Sequence, residues 1–156
     1  MKKVVLFGGS GFLGSYVADE LIGRGFDVTV ADLYKSENVQ NIKKFEKIDI
    51  LNIESIKKIL KDVSVVYNFS AIAELDEAIN NPISTFQVNV MGNLNILEAC
   101  REVGGIERFV YASSAYALSN EGSFYGISKQ SSEKLTEEYY KKHGLKYTVI
   151  RYGSLY

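Results

Sequence analysis

The sequence predicts an α/β fold: a doubly wound parallel sheet of six strands, in an order of about 3-2-1-4-5-6. Three observations carry this expectation. Strand-like apolar runs alternate with helical patterns along the whole chain, with no repeat, linker or low-complexity stretch. The first apolar run, VVLF at 4–7, opens directly into a glycine-rich turn and then a helical pattern. The second run ends on an acid, Asp32. Right-handed crossovers between parallel strands then give the order.

The elements follow in turn. Residues 4–7 are the first strand. Gly8, Gly9, Gly11 and Gly14 come next, satisfying both G-x-G-x-x-G and G-x-x-G-x-x-G. Glycine suits a sharp turn that brings bare backbone close to a ligand, and the N–H groups of the following helix point back at that turn. A diphosphate fits there. Helix one is expected over 12–24, with Leu13, Val17, Leu21 and Ile22 on its inner face and Gly25 as its C-terminal cap. Strand two covers 27–31. Residues 33–44 read as loop with a helical turn. Strand three covers 45–50, with Asp49 and Ile50 at its end. Asn52 caps a short helix over 53–60, with Ile56, Ile59 and Leu60 turned inward.

Strand four, 63–69, is apolar almost throughout, as in a sheet buried on both faces. Residues 70–80 carry Glu74, Asp76 and Glu77 and read as a solvated loop or short helix near the mouth of a cleft. Asn81-Pro82 signals a helix start, Asn as cap and Pro at the first position, and one long helix is expected over 82–103. Strand five, 108–112, is followed by Ser113-Ser114. A second long helix covers 124–143, and strand six covers 147–151.

Two constellations fall at the C-terminal ends of these strands. The first is the glycine turn with Asp32. A carboxylate there hydrogen-bonds both ribose hydroxyls of an adenosine and repels a 2′-phosphate, so the cofactor read from the residues is NAD rather than NADP. The second is Ser114 with Tyr125 and Lys129, which lie four apart on one face of a helix. A free phenol is a poor base at neutral pH. A neighbouring ammonium favours the phenolate, so Lys129 is expected to lower the pKa of Tyr125. Tyr125 could then take a hydroxyl proton while hydride leaves the same carbon, with Ser114 hydrogen-bonded to the substrate oxygen.

Composition narrows the rest. The chain has 156 residues and a formal net charge of −1, which gives no general attraction to nucleic acid or to an anionic membrane. No apolar run approaches a membrane span, and the first run is too short for a signal peptide. The single cysteine, Cys100, excludes an internal disulfide and reads as a core residue beside Leu97 and Val103. Together these point to the cytoplasm. His143 is the only histidine, which excludes a histidine-rich metal site, and no metal is expected.

With these residues in hand, the chain resembles an extended short-chain dehydrogenase/reductase, of the NAD-dependent sugar-nucleotide epimerase/dehydratase family, through its N-terminal Rossmann portion. Gly8, Gly11 and Gly14 match the family's phosphate loop, which Phe12 and Leu13 continue into the helix. Asp32 matches the ribose acid, and Asp49-Ile50 the segment against adenine. Asn68-Phe69-Ser70-Ala71 resembles the stretch lining the cofactor, and Asn89 the helix asparagine placed near the active site. Ser113–Ala115 and YGISK at 125–129 match the catalytic segments, and RYGSLY at 151–156 the strand leading toward a substrate domain.

The resemblance implies epimerisation of a sugar nucleotide, a UDP-sugar at C4, through a transient keto intermediate. It also implies a homodimer through the helices at 82–103 and 124–143. There are departures. Ala115-Tyr116 stand where dehydrating relatives carry an acidic pair, which argues against dehydration. Ala117-Leu118-Ser119 stand where relatives often have Val-Tyr-Gly. The C-terminal substrate domain is expected to be absent or truncated, since relatives run to about twice this length, leaving strand six as an open edge and this chain alone inactive. Two other readings stand beside this one: an NAD(P)-linked reductase or dehydrogenase of a small carbonyl compound, and a non-enzymatic NAD-binding module.

Overall fold

A computed structural model describes every residue except Asn41, Leu155 and Tyr156. The last two residues of the RYGSLY segment therefore lie outside the described part. The elements are β1 (Lys3–Phe7), α1 (Phe12–Gly23), β2 (Asp27–Asp32), β3 (Phe45–Lys47), α2 (Ile53–Ile59), β4 (Val65–Asn68), α3 (Leu75–Asn80), α4 (Pro82–Phe86), α5 (Asn93–Val103), β5 (Arg108–Ser114), α6 (Ser123–His143) and β6 (Tyr147–Tyr152). Short 3-10 turns lie at Glu37–Val39 and Ala115–Leu118. The six strands form one parallel sheet in the order β3-β2-β1-β4-β5-β6, as the alternation of elements predicts.

Strand alternation sorts the side chains to two faces. Val5, Phe7, Val66, Phe109 and Tyr111 bury one face with Ile56 and Leu60 from α2 and its end, and Ile96, Leu97 and Cys100 from α5. Val4, Leu6, Val28 and Val30 bury the other with Ala18 of α1 and with Val39 and Ile42. On α1 the fully buried positions are the small ones, Gly14, Ser15 and Ala18. Leu13, Val17 and Leu21 flank that contact only half-buried, and Ile22 points to solvent rather than inward. Small residues let the helix axis approach the sheet more closely than a leucine face would.

Register sets where the site lies. Phe7 pairs with Ala31 on one side and Asn68 on the other, and Asn68 pairs with Tyr111. β5 then continues for three residues beyond β4, paired only with β6 as far as Ser114–Tyr152. Ser113 and Ser114 are thus the last residues of the strand, not a loop after it. β3 is shorter than its apolar run suggests. The Asp49 carboxylate accepts from the Leu51 N–H at 2.9 Å and its carbonyl from the Asn52 N–H, which turns the chain before Asp49 joins the sheet. The Asn52 side chain then caps α2 by accepting from the Ser55 N–H.

The expected single helix over 82–103 is interrupted. Residues Gln87–Gly92 form a π-helical turn between α4 and α5. The widened turn is tied down from outside: the Asn89 carbonyl accepts from the Ser132 hydroxyl of α6 at 2.7 Å. Gly92 packs directly on Ile50, where a Cβ would lie 2.3 Å from Ile50 Cδ1. Such turns are rare and concentrate near functional sites. Asn81 precedes Pro82 as expected, but its side chain caps nothing. Its carbonyl instead accepts from both the N–H and the hydroxyl of Thr85. Among the described residues, no helix is long and apolar enough to cross a membrane.

Candidate active site

The glycine turn after β1 is built by close approach. Gly8 has φ +70°, and a Cβ there would sit 2.4 Å from the Ser70 nitrogen after β4. A Cβ on Gly14 would sit 2.6 Å from the Gly8 carbonyl. Side chains at either position are excluded, so β1, α1 and the end of β4 converge on bare backbone. Gly11 is the N-cap of α1 and brings no side chain to the first helical N–H groups, which have no intrahelical acceptor. A Cβ on Gly11 would meet only the Gly8 carbonyl at 3.4 Å and would otherwise project into open space. That space is a cradle fitted to an anion.

Asp32 closes the turn. One carboxylate oxygen accepts from the Ser10 N–H at 3.0 Å and the other from the Leu33 N–H at 2.8 Å. Burial raises its pKa, opposed by these backbone donors. The carboxylate therefore holds the loop in shape and keeps lone pairs free toward the cleft.

Two lobes of one cleft meet at Gly8, Gly11, Phe69 and Ala71. The first, of about 540 Å³, is walled by the loop, Asp32, Asp49, Ile50, Ser70, Ile72 and Val88. The second, of about 620 Å³, is walled by Phe12, Leu13, Glu74, Ser113, Ser114, Tyr125, Lys129 and Tyr152. An elongated two-part ligand with a diphosphate near its middle matches this layout. The residues present fit NAD.

Tyr125 and Lys129 share the second lobe with Ser114. The Lys129 ammonium is almost wholly buried and donates to the Ala112 carbonyl at 2.7 Å. It lies 4.9 Å from the ring centre of Tyr111 and 5.7 Å from that of Tyr125. Burial pushes Lys129 down to about 8, with Glu133 pulling the other way. The expected lowering of the Tyr125 pKa is not what the bare fold produces. Burial pushes the phenol up, and the Ser114 hydroxyl opposes it. Burial outweighs everything else at the phenol, and the one hydrogen bond of the Lys129 ammonium goes to the Ala112 carbonyl. The Ser114 oxygen accepts from the Tyr116 N–H at 3.2 Å, which leaves its own proton free to donate.

Asn89, like Asn68 below it, stands apart from the other expected ligand-contacting residues, which line the cleft. It is buried, and its side chain is occupied within the protein. Its oxygen accepts from the Ile72 N–H at 2.7 Å, and its amide donates to the Ile72 carbonyl and the Ser128 hydroxyl. It shapes the cleft from behind, through Ile72 and through the helix turn that carries Tyr125. Below it, Asn68 donates to Asn93 at 2.9 Å, and the Asn93 amide reaches the Ser132 carbonyl. The sequence reading passed over Asn93 and Glu133. The signal for Glu133 was its place four residues after Lys129 on the same helix; nothing local marked Asn93.

Comparison with known proteins supplies the family. The family model described as the NAD dependent epimerase/dehydratase family matches residues 4–156. A putative UDP-glucose 4-epimerase of Methanocaldococcus jannaschii is 32% identical over 98% of this chain and 56% of its own length. Among solved structures, UDP-glucose 4-epimerase of Thermotoga maritima with UDP-glucose superposes with a TM-score of 0.91 at 29% identity, over 99% of this chain and 56% of that one. UDP-glucose 4-epimerase of Thermus thermophilus in complex with NAD gives a TM-score of 0.87 at 32% identity, over 96% of this chain and 54% of that one. The chain thus spans about half the length of the relatives it matches. The glycine cradle, the sheet order and the family match agree, and the chain belongs to the NAD-dependent epimerase/dehydratase family.

Proposed function

We propose that this chain is the cofactor-binding and catalytic half of an NAD-dependent epimerase acting on a sugar nucleotide, most specifically a UDP-sugar at C4. The observation that carries the reading is that Ser114, Tyr125 and Lys129 wall the same cleft as the glycine turn. NAD bound in this cleft would supply a reversible hydride acceptor. The chain's own groups do the rest. The Ser114 hydroxyl donates to the reacting sugar oxygen and orients it. Tyr125 accepts the hydroxyl proton and later gives it back. Lys129, fixed by Ala112, supplies positive charge beside the phenol, and a charged ligand ring adds to it.

A substrate domain beyond this chain completes the pocket in our reading, supported by the share of the relatives that the chain spans. The 156 residues alone are expected to bind NAD and turn over little. The absence of an acidic pair after Ser114 favours epimerisation over dehydration. We also propose a cytoplasmic homodimer. Ile83 and Met91 on the interrupted helix and Phe124 on α6 are exposed and apolar and flank one groove, and Ile127 of α6 is also exposed. Sedimentation at high concentration that finds only monomer counts against the dimer.

The test is interconversion of UDP-glucose and UDP-galactose by the protein at its native length, with Tyr125→Phe silent. No turnover of any UDP-sugar by either form defeats the reading, and net consumption of added NAD(H) with a small carbonyl compound would replace it. Calorimetry of the 156-residue chain is expected to find NAD bound more tightly than NADP, because Asp32 meets a 2′-phosphate with like charge.

A further inference from the structure

Glu133 lies one helical turn beyond Lys129 on α6 and is held from two strands. Its Oε1 accepts from the Ser113 hydroxyl of β5 at 2.5 Å and from Arg151 Nε of β6 at 3.0 Å, while its Oε2 accepts from Arg151 Nη2 at 2.8 Å. The Glu133 side chain is 14% exposed against 45% for Arg151. Three anchors on a mostly buried carboxylate leave it little freedom. Lys129, by contrast, has one hydrogen bond among the described residues, to a neutral carbonyl, and two aromatic rings around it. A buried ammonium needs a counter-charge.

Among the described residues, the charged and titratable groups around it are Glu133 and Tyr125 on its own helix, Tyr111 from β5, Tyr152 from β6 and Glu74 from the loop before α3, with Arg151 of β6 standing behind Glu133. Glu74 is exposed, so solvent screens it. Glu133 is the fixed carboxylate of the set.

We infer that Glu133 is a positioning residue for the proposed reaction: clamped by Ser113 and Arg151, its carboxylate keeps Lys129 charged beside Tyr125, and Arg151 sets how much of that charge Lys129 feels. This rests on the reading of Tyr125 and Lys129 above, which it deepens. The effects at the two sites agree with it: Glu133 pulls the lysine up against burial, and at Glu133 burial raises the carboxyl but is outweighed by the hydrogen bonds from Arg151 and Ser113 and the Arg151 charge, with Lys129 adding a smaller pull in the same direction.

The inference makes a prediction of opposite sign at two members of one ion pair. Titrate Lys129 by carbon-13 NMR of labelled lysine side chains, assigning its signal by its loss in Lys129→Met. In Glu133→Gln the midpoint is expected to fall by at least about half a unit, because the counter-charge is gone. In Arg151→Gln it is expected to rise, because the carboxylate is unmasked and a like charge removed. If the pair served only to brace the fold, both variants would loosen the site and expose Lys129, so both midpoints would rise toward the ordinary lysine value. That outcome, or no change in Glu133→Gln, overturns the inference. Should Glu133→Gln fail to fold, reciprocity supplies the test: in Lys129→Met the Glu133 carboxyl must titrate higher than in the parent, and an unchanged midpoint overturns it. All titrations are done without cofactor or substrate, so their failure leaves the epimerase reading standing, and failure to epimerise leaves them valid.

Discussion

The Lys129 ammonium is joined to the Ala112 carbonyl by a 2.7 Å hydrogen bond, at the point where β5 outruns β4. This one contact turns a long, ordinarily solvated side chain into the floor of the cleft. It also explains why the lysine is buried although it lies on a helix otherwise rich in exposed charge.

Burial of that charge has a stability cost with a definite pH dependence. The folded pKa of Lys129, about 8, lies below its ordinary value of 10.5, so the fold binds fewer protons than the unfolded chain between those values. The stabilisation associated with the neutral amine is complete above 10.5 and is lost as pH falls through 8. Below that, the shift corresponds to roughly 3 kcal/mol. Lys129→Met is therefore expected to be more stable than the parent at pH 7, by up to about that amount, with the advantage shrinking toward pH 10.5. Denaturant melts of both proteins across this range measure it, and a pH-independent difference would refute it.

The buried pair Asn68–Asn93 is expected to couple strongly. Each side chain is at most 1% exposed, and the Asn68 amide depends on Asn93 for its acceptor. Asn93→Ala should cost about 1–3 kcal/mol, chiefly through the donor left unsatisfied. A double-mutant cycle with Asn68→Ala should return a coupling energy well above experimental error, and simple additivity would show the two act independently.

Gly92 and Ile50 make a steric prediction. A methyl group on Gly92 would overlap the end of the Ile50 side chain, at 2.3 Å from Cδ1. Gly92→Ala is expected to destabilise by about 1–3 kcal/mol. Shortening the neighbour, in Gly92→Ala with Ile50→Val, removes the Cδ1 overlap but keeps Cγ1 at 2.8 Å, so it should recover part of that loss, as melting temperatures of the three variants would reveal. Because Ile50 lines the first lobe, the single substitution should also weaken NAD binding.

Much of this fold was readable from local pattern. Alternating apolar runs and helical spacings suffice for six strands and their order, because parallel strands need crossovers and crossovers have one hand. The glycine turn with Asp32 and the trio of Ser114, Tyr125 and Lys129 were readable because their chemistry is tied to short spacings at strand ends. Where the reading slipped, a distant contact had overruled a local preference. Apolar spacing over 82–103 asks for one unbroken helix, yet the Ser132 hydroxyl, the Ile72 backbone and Ile50 draw the middle of it into a π turn. Asp49 sits in an apolar run, yet its own carboxylate ends the strand.

What the sequence by itself determined is the inventory: which residues could bind a diphosphate, read a ribose or move a proton, and on which edge of the sheet they fall. Only the tertiary structure decided the electrostatics among them. Charge on Lys129 depends on how much water the packed sheet and α6 exclude, on a carbonyl seventeen residues away, and on a carboxylate whose partners come from two different strands. Solvation and through-space Coulomb interactions depend on three-dimensional distance, which spacing along the chain does not encode.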